Sequence, residues 1–486
     1  MPHRLPTLRR YKISNDVLIL ILEKLDPRTL ATTCKVFRRV YELVMGFQHL
    51  RYKFELAMAG MQDGTPSYYS KPPSLRLQLL LAYRENWPKL RWTCEQKIFI
   101  SAAATVVNVC GGFLYHVEGQ TLDLKELPSY RTGRLPAQTK HIRFGTAPRA
   151  DCVAIDPMQS LIVTSHTFSG HGGQVALRLK IRNLWTFEKH PYAASQSYEC
   201  LTQVAQPVAK TSMVVCGFKM TVSLEFLGGT VKHLLIDWRT LQAMWLEEQD
   251  VHFLNPESLL TVGYSPRGSP GMKLFNIRDL NRTFIEREYE LPSIWAGSEL
   301  RFSHNAIPTP TVPLSRDALF HLDPLTRVLH LTVKGGQKRG ALHWLFIKES
   351  YFRPASRADQ SCHVPWASWS KACLIKDLVA SEIIGVPRVI GSRIVYVESD
   401  SGSGKDRISI IDFAIPANHP GSSSRPWSLI GPLAMLTPNE SSRSIPSSVT
   451  GHLRVEGICA SEDNIVVMLE PQQGGKAVNI LTFGPK

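Results

Sequence analysis

From about residue 95 to its C-terminus the chain is written as pairs of short apolar strands, each pair folded back at a Gly, Pro, Asn, Asp or Ser turn. DCVAIDPMQSLIVTS (151–165), KMTVSLEFLGGTVKHLLIDWRT (219–240) and VIGSRIVYVESDSGSGKDRISIIDF (389–413) are examples. Alternation at period two between turn residues is the pattern of antiparallel hairpins, and no stretch after 110 has the spacing of a long helix. The pairs also recur. LLIDWRT, KLFNIRD and RISIIDF share one form, marked by Ile236, Asn276 and Ile411 at intervals of 40 and 135 residues, the second close to three units of about 45. DPMQSLIVT at 156 and NPESLLTVG at 255 repeat another, about two units apart. A period of about 40 to 50 residues made of antiparallel strands is the mark of a β-propeller. The length available predicts about seven blades; six or eight, a two-sheet sandwich array or split β domains are the alternatives. The Pro/Ser-rich text between 415 and 448 reads as long loops between late strands.

The first hundred residues follow a different period. Ser14 and Asn15 are placed to cap a helix whose apolar positions Val17, Leu18, Ile21, Leu22 and Leu25 form one side while Ile19 and Leu20 fill the other. Asp26-Pro27 ends it and starts a second, with Pro at the first helical position. That second helix is expected to carry Leu30, Cys34, Phe37, Tyr41 and Val44 along one stripe, with Lys35, Arg38 and Arg39 opposite. HLRYKFELAMAGM and SLRLQLLLAYRENWPKLRW supply a third and a fourth helix. The expected organisation is therefore α + β and multidomain: an all-helical module over 1–94 and an all-β domain over 95–486. The run VLILIL at 17–22 is apolar on both sides, and a module of three or four short helices covers only one. Leaving three such side chains in water would forgo roughly 4 to 9 kcal/mol of burial, so the run asks for a second apolar neighbour: the β domain or another protein.

Signatures of chemistry are missing. SDSGSGKD at 399–406 imitates a phosphate-binding loop, but it begins with Ser where Gly is needed, Asp406 follows Lys405, and strand text follows. A hairpin turn is the better reading. GHGG at 170–173 reads as a flexible turn, and the sixteen histidines are dispersed with no HExxH, CxxC or GxSxG. The tryptophans, including Trp87, Trp92, Trp366 and Trp369, are expected to pack. No catalytic residue, metal or cofactor is predicted. Nine cysteines without a CxxC, mostly in apolar strand text, read as buried free thiols in a reducing compartment, cytoplasm or nucleus. VLILIL is too short to span a bilayer, and no apolar leader precedes it, so no membrane partner is expected. The formal net charge is +15, and the first hundred residues hold 17 Lys and Arg against 8 Asp and Glu. That balance suits nucleic acid, an anionic membrane or an acidic protein partner and chooses between none of them; without a dense basic block it argues only weakly for nucleic acid.

The stretch ISNDVLILILEKLDPRTLATTCKVFRRVYELV resembles an F-box. Val17-Leu18 and Ile21-Leu22 match its two hydrophobic pairs, Leu25 the helix end, Thr29-Leu30 its Asp-Leu position, Lys35, Val36 and Phe37 its Val-Cys-Arg region, and Arg39 or Tyr41 its closing Trp region. Ile13-Ser14 stands where the usual Leu-Pro would be. LRYKFELAMAGMQDG and LRLQLLLAYRENWPKLRW further resemble a large group of F-box proteins of mushroom-forming fungi, in which a β-rich region follows. The resemblance covers about residues 12 to 95 strongly and the rest loosely. It implies a non-catalytic substrate receptor of a cullin-RING ubiquitin ligase, binding the Skp adaptor, and through it cullin and RING protein, by Ile13, Val17, Leu18, Ile21, Leu22, Leu25, Leu30 and Phe37. The β domain would hold an unknown protein substrate. A propeller scaffold with no ligase role is the competing expectation, and a basic nucleic-acid-binding protein the third.

Overall fold

The alternating segments form seven antiparallel sheets arranged as a ring in a computed structural model of the chain. It describes residues 13–64, 71–135, 139–143, 150–170, 173–305, 318–335, 341–352, 362–400, 405–414, 438–472 and 474–485. Blade 1 starts with strand Ala104–Cys110, blade 2 with Cys152–Asp156, blade 3 with Val208–Cys216, blade 4 with Asp250–Asn255, blade 5 with Glu299–Ser303, blade 6 with Ile383–Ile390 and blade 7 with Val455–Ala460. Within each blade the strands follow in chain order from the axis outward, and these seven first strands form the inner wall. Blade 4 gains a fifth, parallel strand, Cys362–Val364, at its outer edge. Blade 7 is completed from the other end of the sequence: Cys94–Ile100 pairs with Lys476–Thr482, in register from Cys94 opposite Thr482 to Ile100 opposite Lys476. The protein is thus a seven-bladed β-propeller closed by its own N-terminal side.

Alternation builds the core. Leu177, Leu179 and Ile181 of blade 2 point toward Met220, Val222 and Leu224 of blade 3, and the next set of alternate side chains repeats the arrangement around the ring. Ile236, Asn276 and Ile411 all fall at or near the ends of third strands, in blades 3, 4 and 6. The interval of 135 therefore spans two blades, not three units of 45. Blades 1 to 5 begin 42 to 56 residues apart, but blades 5, 6 and 7 begin 84 and 72 apart because insertions lengthen blades 5 and 6. The repeated Asp of this form has a shared role. Asp237 pairs with Lys219 and Asp412 with Arg393, each joining a third-strand end to the start of the buried second strand beside it.

Among the described residues, five helices precede the ring: α1 (Asn15–Lys24), α2 (Pro27–Val36), α3 (Arg38–Gly46), α4 (Gln48–Met58) and α5 (Pro73–Asn86). The expected second helix is two. Phe37 is extended, at φ −119° and ψ 108°, so the stripe breaks there and Val40 takes the inward place that Tyr41 was expected to fill. After α4 the chain does not go directly to a loop: Met61–Asp63 pairs with Phe320–Leu322. The helices divide between two cores. Leu22, Leu30, Cys34, Val40, Val44 and Leu50 form a small one, whereas Tyr52, Leu56, Leu77, Leu80, Tyr83 and Trp87 pack with Ile390, Val395, Ile465 and Phe483 of blades 6 and 7. The Tyr83 hydroxyl donates to the Glu462 carbonyl and accepts from Arg393. Trp87 stacks on Phe483 with ring centres 4.0 Å apart. In this way α4 and α5 belong to the propeller's own core, on the face that carries its first-to-second-strand turns.

Two predictions follow from this packing. Trp87→Ala should cost about 3 to 5 kcal/mol, the usual range for emptying a large buried site, read as a lower urea midpoint. His330, fully buried beside Ser303 and against Trp344 and Phe346, has its pKa pushed down by burial to about 3, and His321 to about 4. The unfolded chain takes up these protons near the ordinary value of about 6.5, so stability is full above that pH and is lost as pH falls toward 3. In urea titrations His330→Gln should remove part of this slope, and its stability difference from the wild type should narrow between pH 6.5 and 4.

Candidate functional site

Local chemistry fixes α1 on both ends. The Ser14 hydroxyl accepts from the Val17 N–H at 3.4 Å, so Ser14 serves as the helix cap. Asp26 accepts from the N–H groups of Arg28 and Thr29, and these bonds with the Thr29 hydroxyl hold its carboxyl below the usual value. Arg39 at the start of α3 donates to the Ile13 carbonyl and the Asn15 side chain, each at 2.7 Å. This brings the α2–α3 junction beside the start of α1.

The helix so held is two-sided. Leu22 is 1% exposed and sits in the small helical core, where Leu18, Ile19 and Leu25 pack half-buried against it. Val17, Leu20 and Ile21 point away, 49, 61 and 45% exposed, and Ile13 continues the stripe one turn earlier. The expected sides are thereby corrected: Ile19 faces inward, and Leu20 joins Val17 and Ile21 outside. Of the predicted contact residues, Ile13, Val17, Ile21 and Phe37 are exposed, Leu18 and Leu25 are half-buried, and Leu22 and Leu30 are interior. Leu20 and Val36 are exposed apolar residues that the sequence pattern did not assign to the surface contact. Extended Phe37 explains Val36, since it turns the end of α2 outward. The expected basic patch is partly spent: Arg38 pairs with Glu42, and Arg39 holds α1.

The remaining sequence motifs are structural where described. Asp400 pairs with Lys405, closing a hairpin across SDSGSGKD, whose residues 401–404 lie outside the described residues. So do His171 and Gly172 of GHGG, residues 415–437 of the Pro/Ser-rich text and the N-terminal residues 1–12. Trp369 is buried and donates to the Glu290 carbonyl at 3.0 Å, with Trp366 against it. Cys34, Cys94, Cys110, Cys152, Cys200, Cys216, Cys373 and Cys459 are free thiols, and burial pushes those of Cys34 and Cys110 up to about 11 and 12. Among the described residues no cluster of three or more His, Cys, Asp or Glu could hold a metal, and no helix is long and apolar enough to cross a membrane.

No family model matches this chain, and no curated protein sequence matches it. Among solved structures it is similar to the WD40 domain of SCAP from fission yeast, at 10% identity over 79% of this chain and 85% of that one, with a TM-score of 0.40. It is similar to the β-propeller domain of the Trilobed protease from Pyrococcus furiosus, at 7% identity over 80% and 96%, with a TM-score of 0.41. Kluyveromyces lactis Hsv2 matches at 8% identity over 74% and 87%, with a TM-score of 0.38.

The two sides of α1 should respond differently to substitution. Leu22→Ala should destabilise the helical core by about 2 to 5 kcal/mol, whereas Leu20→Ser should leave stability within about 0.5 kcal/mol. Hydrogen exchange of the α1–α3 amides, resolved by segment, checks both.

Proposed function

We propose that this chain is a non-catalytic substrate receptor of a cullin-RING ubiquitin ligase. In this reading α1 and the α2–α3 junction dock on the Skp adaptor, which carries cullin and RING protein, and the propeller holds a target protein. The observation that carries it is the outward apolar stripe of Val17, Leu20 and Ile21, flanked by Ile13 and Phe37, on a helix whose other side is already satisfied. An aliphatic stripe of this size left in water is ordinarily a contact surface. Ile13, Val17, Ile21 and Phe37 of this surface stand at positions where the sequence resembles an F-box; Leu20 adds to them. The receptor would act by proximity, raising the effective concentration of a target lysine near a charged ubiquitin-conjugating enzyme.

The test uses the full chain with purified Skp adaptor. Wild type should form a complex on size exclusion, and Val17→Asp with Ile21→Asp should weaken it at least about 100-fold, the equivalent of roughly 3 kcal/mol. These side chains are outside the helical core, so the urea transition of the double variant should match the wild type. Complex formation that survives the double substitution would sink the proposed interface. No complex with wild type would leave the chain as an interaction scaffold without a ligase role.

A further inference from the structure

Blade 2 carries cations that its own fold does not neutralise. Its third strand, Val175–Asn183, places Leu177, Leu179 and Ile181 in the core toward blade 3. Arg178, Lys180 and Arg182 take the alternate positions and face blade 1: Arg182 stands opposite Ile162, which packs with Tyr115 and Leu124 of blade 1. At the strand rise of about 3.3 Å per residue, successive members of the three start about 6.6 Å apart. Arg178 pairs with Glu199 and lies over Phe168, 4.8 Å from its ring centre. Arg182 lies over Phe187 at 4.4 Å, makes no ion pair among the described residues, and has a buried Nε without an acceptor. Lys180, between them, has no hydrogen-bond or ion-pair partner among the described residues. Lys140 of blade 1 joins the group over Trp185, at 5.0 Å.

Among the described residues, four cations therefore share one carboxylate, and Arg178, Lys180 and Arg182 are partly removed from water. The cost is visible at Lys180, whose pKa is lowered first by burial and then by Arg182 and Arg178. An arriving anion relieves that repulsion, and a charge is worth more to a half-buried cation than to a solvated one.

We propose that this stripe is the docking site for an extended acidic segment of the target protein, with carboxylates at alternate positions. The assignment rests on the reading of the propeller as the target-holding domain. An extended peptide repeats its same-side side chains at the spacing of the strand beneath it, so Glu-x-Glu-x-Glu presents one carboxylate to each cation. Leu201, exposed and next along the same face beyond Glu199, offers an apolar contact at one end. A single-stranded nucleic acid fits less well. It binds by stacking bases on open aromatic faces, and here Phe168, Phe187 and Trp185 each already carry a cation.

The experiment measures fluorescence anisotropy of the full chain with a labelled peptide alternating Glu and Thr, its Gln-Thr counterpart, its phosphoserine counterpart and a single-stranded oligonucleotide. The Glu peptide should bind at least about tenfold more tightly than the Gln peptide, with affinity falling as salt rises. Lys180→Glu and Arg182→Glu should each weaken it about tenfold or more without lowering the thermal midpoint. Tighter binding of the phosphoserine peptide, lost in the same variants, upholds the site and identifies phosphate as the stronger source of charge. Equal binding of the Glu and Gln peptides, or Glu-peptide binding unaffected by both variants, overturns the proposal, as does an oligonucleotide that outcompetes the Glu peptide at the stripe. Adaptor binding measured on the same samples separates the two readings: its loss with peptide binding intact removes the ligase role alone, and the converse removes this site alone.

Discussion

Everything in this molecule depends on the pairing of Cys94–Ile100 with Lys476–Thr482. A ring of sheets is stable only if the last blade meets the first, because an open ring leaves one apolar blade face and one strand edge in water. Here the closing strand lies immediately after the helices, so closure draws the helical region against blades 6 and 7. The contacts continue without a gap across the joint. The Thr93 N–H donates to the Thr482 carbonyl, the Asn86 side chain donates to the Gly484 carbonyl, and Trp87 covers Phe483. Losing Trp87 thus weakens both the α5 contact and the ring closure, and the two cannot be separated into independent domains of stability.

The parts of this architecture that were legible in the sequence are those set by nearest neighbours. Period-two alternation gave strands, turn residues gave hairpins, and the caps at Ser14 and Asp26 gave the two helix starts where they are found. What was not legible depends on partners distant in sequence. Met61–Asp63 is a strand only because Phe320–Leu322, more than 250 residues later, offers it an edge. Phe37 breaks a good helical stripe, and with α3 turned as a separate helix Val40 and Val44 lie in the small core with residues of α1, α2 and α4. The spacing error at Ile411 has the same origin: insertions change the length of a blade without changing its strand order. At the candidate contact, Ile13, Val17, Ile21 and Phe37 were readable as outward apolar residues, whereas Leu20 and Val36 were missed and Leu22 and Leu30 are interior. The sides that Leu20 and Leu22 occupy were not legible, since a run apolar all round contains no amphipathic signal to orient it.

The repeat motif illustrates how one residue can serve local and distant needs. Asp237 accepts from the N–H groups of Arg239 and Thr240 and so forms the turn after its strand, while its other oxygen meets Lys219. Asp412 does the same with the Ala414 N–H and Arg393. The turn was visible in the text LLIDWRT and RISIIDF, but the ion pair was not. In a buried setting, removing either member of such a pair costs about 3 to 5 kcal/mol because the other is left charged and unsolvated. Arg393 adds a further link, donating to Tyr83 of α5. One turn motif therefore helps to fix the helices on the propeller.

That attachment bears on how two partners could be held by one chain. α2 is tied to the ring by Arg28 with Asp323, and α4 and α5 share the core of blades 6 and 7. The outward stripe of α1 rests on these helices through Leu22 and its neighbours, so its position follows that of the propeller. Blade 2 is part of the same closed ring. A protein bound at α1 and a peptide bound along Arg178, Lys180 and Arg182 would consequently stand in a defined relation, set by packed cores at each step and not by a flexible linker. The benefit of proximity grows with such definition, because the effective concentration of a tethered group falls as the volume it can explore increases. The weak step in this chain of contacts is α1 itself: its inward side rests on a core of six buried side chains, against eight or more in each core of the ring, so a bound partner adds to the order of α1.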